Sequence, residues 1–308
     1  MKAILYTALF AILASGFTSC KGYNDVLKSD DYERKLQAAD EYYQQGVTPK
    51  VKYRKNEKAI EEKGPIRKRK YRTGPLQRSV ALYEQIYQRT PKGAEGELAY
   101  FRIGKAYYYS NDFYMAGYYL GMFPQRFPYS AKGEEALFLS AMCSVNNSPA
   151  PSLDQTDTEL AIRDLQSFID RYPQSELIDS CNNLIDGLRF KLERKAYESV
   201  LLYDQTANYN AAATSAETFI EDYPISQYVE DVLRIAVENS YYLANNSVES
   251  KKAERIDKTI ERYNNFVAQF PESSEKDRLS KLIEQLRADK KEMEAEKSDN
   301  KNKAKKDI

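Results

Sequence analysis

The chain of 308 residues contains no histidine and no tryptophan. Without histidine it lacks the commonest general base, the commonest metal ligand and the side chain that titrates near neutral pH. Without tryptophan it lacks the ring on which glycan-capturing proteins usually stack sugars. Cysteine is scarce, at positions 20, 143 and 181. Cys143 and Cys181 stand 38 residues apart with no CxxC spacing, so a zinc site is unsupported. Two states remain open for them, buried free thiols or a disulfide in an oxidising compartment. Net charge is absent too, with 46 basic and 46 acidic residues, which removes any global field for nucleic acid. No glycine-rich phosphate loop or nucleophile elbow occurs. Carboxylate pairs such as Glu134-Glu135 read as solvated faces in a chain that is 30% charged. These absences predict a non-enzymatic protein with no cofactor and no metal.

What is abundant is tyrosine, 26 residues, beside 12 phenylalanines. Four of these aromatics open a recurring mark: Phe127-Pro128-Tyr129-Ser130, Tyr172-Pro173-Gln174-Ser175, Tyr223-Pro224-Ile225-Ser226 and Phe270-Pro271-Glu272-Ser273. Arg89-Thr90-Pro91 is a looser version. Proline disfavours the helical region for the residue before it, so a helix stops at the aromatic. The serine can cap the helix that follows. Successive prolines at 91, 128, 173, 224 and 271 are 37, 45, 51 and 47 residues apart, a period that implies an array of helical repeats.

The clearest unit reads Tyr100-x2-Ile103-Gly104-x2-Tyr107, then Ala116-x3-Leu120, then Pro128 twelve residues beyond Ala116. It is similar to the tetratricopeptide pattern, with small residues where two antiparallel helices touch and Asn111-Asp112 as the turn. Counting back twelve from the other prolines gives Ser79, Ala161, Ala212 and Thr259. The predicted fold is therefore all-α, a tetratricopeptide-like helical-hairpin superhelix of about five repeats. Residues 20–128 form repeats 1–2, and 129–296 form repeats 3–5 plus a charged capping helix at Ser274–Glu296. A single helix is expected from Ser175 to Gln205, and Cys143 falls at a core position. Ala244–Asp257 reads as a polar insertion, and Lys297–Ile308 as a disordered charged tail. Between Val47 and Gly74 lies a surplus foreign to the template. Pro49–Arg72 holds eleven Lys or Arg against three Glu. It suits a solvated loop, an anionic membrane surface or an acidic partner.

The first helix of each pair would line the concave side of such an array. There the template places Leu36, Asp40 and Tyr43 in the first unit. In the second it places Leu98, Phe101, Lys105, Tyr108 and Tyr109. Leu36, Tyr43, Phe101, Lys105, Tyr108 and Tyr109 are the candidates for a peptide groove, and each could equally pack against the neighbouring pair.

Met1–Ser19 has one Lys, an apolar run from Ala3 to Ala14 and no acidic residue, the pattern of a removable signal peptide. The run is too short for a standard transmembrane helix. Phe17-Thr18-Ser19-Cys20 resembles the bacterial lipobox, with Phe17 in place of the usual leucine, so Cys20 is the expected lipidation site, with S-diacylglycerol and N-acyl chains. Lys21 and the absence of a following acidic cluster favour the outer membrane, facing the periplasm.

Together the lipobox, the five units with their Tyr/Phe-Pro-x-Ser endings and the stretch Ser152-Leu153-Asp154-Gln155-Thr156-Asp157 resemble the BamD family, of the type found in Bacteroidetes. The basic insertion departs from that pattern. The resemblance implies a lipid-anchored, non-enzymatic scaffold that helps β-barrel proteins fold into the outer membrane. Its implied partners are the periplasmic domains of a BamA-like assembly barrel protein, unfolded outer-membrane proteins whose C-terminal aromatic strand enters the N-terminal groove, and the inner leaflet through Cys20. No nucleic acid is implied. The alternatives are a coordinator of envelope constriction or cell division, and a glycan-capturing nutrient-uptake lipoprotein.

Overall fold

The computed structural model describes residues 22–48, 50–52 and 68–306. After a helical segment at 22–28 come α1 (Tyr32–Val47), the short strands β1 (Lys50–Lys52) and β2 (Lys68–Lys70), α2 (Thr73–Arg89), α3 (Ala94–Tyr109), α4 (Phe113–Arg126), α5 (Gly133–Asn147) and α6 (Thr156–Arg171). Then follow α7 (Ile178–Gln205), α8 (Tyr209–Asp222), α9 (Val229–Asn245), α10 (Glu249–Gln269) and α11 (Lys276–Lys306). Apart from the small antiparallel ribbon β1–β2, the described chain is helical hairpins of the tetratricopeptide kind, ending in a further helix. It divides into two compact units, residues 1–188 and 189–308, with the division inside α7. That is later than the expected break at 128/129. Across the expected break α4 and α5 share one core, in which Leu120 and Phe123 are packed with Ala136 and Cys143.

The mark does what its chemistry dictates. At Thr90, Phe127, Tyr172, Tyr223 and Phe270 the backbone leaves the helix with nearly one geometry, φ between −126° and −132° and ψ between 58° and 67° (Thr90 −127°, 59°; Phe127 −130°, 67°; Tyr223 −132°, 58°). Each aromatic N–H donates to the carbonyl of a buried phenylalanine four residues back: Phe123, Phe168, Phe219 or Phe266. The two rings of each pair lie 5.2–6.1 Å apart, closing the helix end with an apolar contact (5.2, 5.5, 5.3 and 6.1 Å in chain order). Proline then occupies the second position of a turn closed by the serine N–H on the aromatic carbonyl. Finally the serine Oγ accepts the backbone N–H two residues on, at 3.1 Å in Ser130 and Ser175, 3.0 Å in Ser226 and 3.2 Å in Ser273.

The small residues counted back from the prolines, Ser79, Ala116, Ala161, Ala212 and Thr259, all have no exposed surface. At Gly104 the helices touch so closely that a Cβ would stand 2.7 Å from Leu120 Cγ. Between α3 and α4, Asn111 takes a positive φ of 61° and Asp112 caps α4 by accepting Met115 N–H at 3.2 Å. Cys143 and Cys181 are free thiols in separate clusters, both buried. Burial pushes the Cys143 thiol up to about 12.

Three expectations are corrected. The stretch read as an insertion at Ala244–Asp257 is mostly helix, because α9 runs to Asn245 and α10 begins at Glu249. Its Ile256 is fully buried, which a polar loop would not allow. The tail expected to be disordered continues α11 as far as Lys306. It contains neither Gly nor Pro, and five of its twelve residues are Lys, a good helix former. The basic surplus is not loop throughout, since β1 and β2 pair in the register Lys50↔Lys70, Val51↔Arg69 and Lys52↔Lys68. At its root Arg72 N–H donates to Gly46 O at 3.1 Å, so α1 and α2 close on each other as the template requires.

Candidate functional site

The predicted groove residues sit on α1 and α3 of the first unit, and two of them prove to be structural. Tyr43 is buried, edge-on to Tyr83 with ring centres 6.4 Å apart. Phe101 is buried against Phe123 at 5.3 Å. Leu36, Lys105, Tyr108 and Tyr109 keep part of their surface. Tyr109 packs on Tyr71 at 4.7 Å and meets Tyr108 edge-on at 5.8 Å, and Tyr108 in turn meets Phe113 at 5.7 Å.

The charges on this face were only partly read from sequence. Arg102 and Lys105, one turn apart on α3, stand between a carboxylate from α1 and one from α5. Arg102 Nη1 is 4.0 Å from Asp40 Oδ1, and its guanidinium lies 4.4 Å over the Tyr43 ring. Asp40 also accepts the Tyr83 hydroxyl. Lys105 Nζ reaches Glu135 Oε1 at 2.5 Å and lies 5.2 Å over Phe101. Burial raises the Tyr43 phenol well above its ordinary range, aided by Tyr109 and opposed by Arg102. Burial and the Asp40 bond do the same for Tyr83. Both phenols therefore stay neutral donors at physiological pH. The template pointed to Lys105 but passed over Arg102 beside it and Glu135 thirty residues on. Only the tertiary placement of α3 against α1 and α5 joins them.

A second feature of the same unit is a cleft of about 360 Å³ lined by Glu84, Tyr87, Tyr100, Tyr118, Tyr119 and Arg126. Arg126 Nη1 donates to Tyr87 Oη at 2.7 Å and its guanidinium lies 5.1 Å over Tyr100. Tyrosine spacing gave no hint of this grouping, because its members come from three helices. Both features suit non-covalent recognition of an aromatic or polar chain.

The stretch Ser152–Asp157 is a self-pinned loop. Gln155 is buried, donates from Nε2 to the carbonyls of Ala150 at 2.8 Å and Leu153 at 3.0 Å, and accepts the Thr158 hydroxyl at 2.7 Å. Asp154 Oδ1 accepts Thr156 N–H at 3.0 Å, starting α6. Cys20 lies outside the described residues, and no helix among the described residues is long and apolar enough to cross a membrane.

The helices α2 to α9, the Pro-x-Ser turns at Pro128, Pro173 and Pro224 and the pinned loop lie within a match to the family model YfiO, described as outer membrane lipoprotein, over residues 65–256. The chain belongs to the YfiO family. The match begins near the end of the basic surplus and runs through four of the five prolines that delimit repeats, Pro91, Pro128, Pro173 and Pro224, so family membership rests on the repeat array. A search of curated proteins found no match.

Proposed function

We propose that this YfiO-family chain is a non-enzymatic assembly factor of the BamD kind, in its Bacteroidetes-type form. It is held to the outer membrane by acyl chains on Cys20 and faces the periplasm. The Asp40–Arg102–Lys105–Glu135 face with Tyr108 and Tyr109 receives the aromatic C-terminal segment of unfolded barrel proteins. The second unit docks on the periplasmic domains of the BamA-like barrel protein. The observation that carries this reading is the outer membrane lipoprotein family match across the repeats. It is supported by a lipobox ending at Cys20 and by partly exposed aromatic and charged groups on α3, Lys105, Tyr108 and Tyr109.

Affinity capture from detergent-solubilised outer membranes tests it. The expected catch is the assembly barrel protein, and depletion of the chain should lower the level of outer-membrane barrels. Recovery of a plugged nutrient transporter, or of constriction proteins, with barrel levels unchanged would overturn the reading.

A further inference from the structure

The ribbon β1–β2 is charged in a way that hydrogen bonding alone does not explain. Five of its six residues are Lys or Arg, none is acidic, and the register sets Lys50 opposite Lys70 and Lys52 opposite Lys68. Cα atoms of directly opposed antiparallel residues lie only about 4.5–5.5 Å apart. Like charges placed directly opposite destabilise a pair of strands. By register the four lysines occupy paired, alternate positions of the ribbon. A short two-stranded ribbon is marginal on its own, so this arrangement calls for a counter-charge from outside the strands. The whole stretch Pro49–Arg72 carries eleven basic residues and three Glu, while the rest of the chain has 35 basic against 43 acidic. The cationic charge is concentrated at one place.

The root of the ribbon packs in the same cluster as the helical segment at 22–28. Val26 is buried in the same cluster as Ala39 and Leu76, with Tyr23 and Leu27 packed against it. The Tyr23 and Tyr42 rings meet edge-on at 5.5 Å, and the Arg78 guanidinium lies 5.3 Å from one and 5.6 Å from the other. Tyr42 is one turn before Gly46, whose carbonyl takes the Arg72 N–H at the root of the ribbon. Cys20 is three residues before Tyr23, so chain length alone keeps it within on the order of 30 Å of that root.

We propose that the ribbon is a binding site for an anionic phospholipid surface. Its four paired lysines lie on the membrane beside the N-terminal attachment point and add an electrostatic contact to the acyl chains. A pair of short strands that carries cations in register and no acidic residue fits a plane of phosphate headgroups, which supplies many counter-charges at adjustable spacing. Two attachments close together, one apolar and one electrostatic, also fix which end of the first unit faces the membrane. The geometry borrows lipid attachment at Cys20 from the function proposed above, but the ribbon's affinity does not depend on it.

The full chain carrying Cys20→Ser, which cannot be acylated there, is sedimented with vesicles of phosphatidylcholine alone or with about 30 mol% phosphatidylglycerol. Binding should be at least about tenfold stronger on the anionic vesicles in about 0.05 M NaCl and should vanish by about 0.5 M. Lys50→Gln, Lys52→Gln, Lys68→Gln and Lys70→Gln combined should abolish the preference, whereas the four Lys→Arg changes should keep it. In a further variant Pro49–Lys70 is replaced by Gly-Gly. It should also lose the preference yet melt as the parent does, because α1 and α2 close without the ribbon. Equal binding to both vesicles, or an undiminished preference in the Gln variant, would overturn the proposal. So would retention on poly-glutamate with no preference among vesicles, which would assign the ribbon to an acidic protein instead. Should the Gln variant fail to fold, headgroup and salt dependence of the parent still decide the matter. A Cys20 that proves unacylated in cells would sink the anchor alone.

Discussion

At the residue scale, two glycines with opposite surroundings show what the repeat spacing encodes. Gly104 has Leu120 Cγ 2.7 Å and Tyr119 Cβ 3.3 Å from where a Cβ would stand. Gly187, inside α7, has nothing within 4 Å. Helix propensity alone favours alanine over glycine by about 1 kcal/mol at either position. Overpacking opposes it at Gly104 by about 1–3 kcal/mol, because Leu120 is fully buried and has nowhere to move. Gly104→Ala should therefore destabilise the fold and Gly187→Ala stabilise it by about 0.5–1 kcal/mol, as read from urea midpoints. Gly104 was legible from its spacing to Tyr107 and Ala116, since only small residues let two helices meet there. The phenylalanines four residues before each mark escaped notice, because one apolar residue on an amphipathic helix looks like any other until its ring partner is seen. The cysteines make a second residue-scale test. With both thiols buried and raised in pKa, neither Cys143 nor Cys181 should react with iodoacetamide in the native chain, and both should react in urea. Rapid native labelling at either would show that its thiol is not buried between the helices.

At the scale of elements, the Pro-x-Ser mark joins neighbouring hairpins as well as ending helices. Besides accepting an N–H, the serine hydroxyl donates to a glutamate on an earlier helix: Ser130 to Glu97 at 2.8 Å, Ser175 to Glu134 at 2.5 Å and Ser226 to Glu193 at 2.5 Å. The sequence shows the cap, because serine two residues after proline is local information. It does not show the bond to glutamate, whose spacing varies from 33 to 41 residues. Ser175→Ala removes both bonds and should lower stability by roughly 1–3 kcal/mol, the sum of a lost cap and a lost charge-assisted bond. A urea titration against Ser175→Thr, which keeps the hydroxyl, separates the hydrogen bonds from mere bulk.

The first of these joints also carries a pH signature. Lys132 Nζ lies 2.7 Å from Glu97 Oε1, and that bond, with help from Ser130, holds the Glu97 carboxyl below its ordinary value against the opposing effect of burial. A depressed carboxyl contributes stability that is present above its unfolded pKa and is lost as pH falls through the folded value. Lys132→Met should therefore flatten the acid side of the stability–pH curve below the ordinary glutamate range, and leave the curve near pH 7–9 parallel to the parent's. An acid limb identical to the parent's would show that the pair contributes nothing. The elements misjudged from sequence, the start of α10 and the end of α11, are both highly charged. Polarity alone does not mark a loop, since Lys, Arg and Glu have good helix propensity, and in α10 only burial of Ile256 distinguishes the two.

For the molecule as a whole, attachment and recognition are predicted to reside in different residues, and so to be separable. Cys20 supplies attachment on the proposed reading, and Lys105 recognition. Lys105 is a clean probe, because its partner Glu135 is half exposed and can return to water when the lysine is lost. An ion pair of this kind contributes only about 0–1 kcal/mol to stability. Its role toward a partner is another matter, since a cation beside Tyr108 and Phe101 can meet the terminal carboxylate of a segment whose last ring lies on the tyrosines. Lys105→Ala should therefore melt within about 1 kcal/mol of the parent and fractionate with the outer membrane as before. It should nevertheless weaken binding of a peptide ending in Phe by roughly five- to tenfold, measured by fluorescence anisotropy. The same peptide with an amidated C-terminus should bind both proteins equally, because the charge that Lys105 would meet is gone. Cys20→Ser should do the reverse, keeping the peptide affinity and losing the membrane fraction. If Lys105→Ala binds the free-acid peptide as tightly as the parent, the face between α1, α3 and α5 is not where such a segment is read. The Arg126 cleft on the same unit, with Tyr87, Tyr100 and Tyr118, would then be the next surface to test.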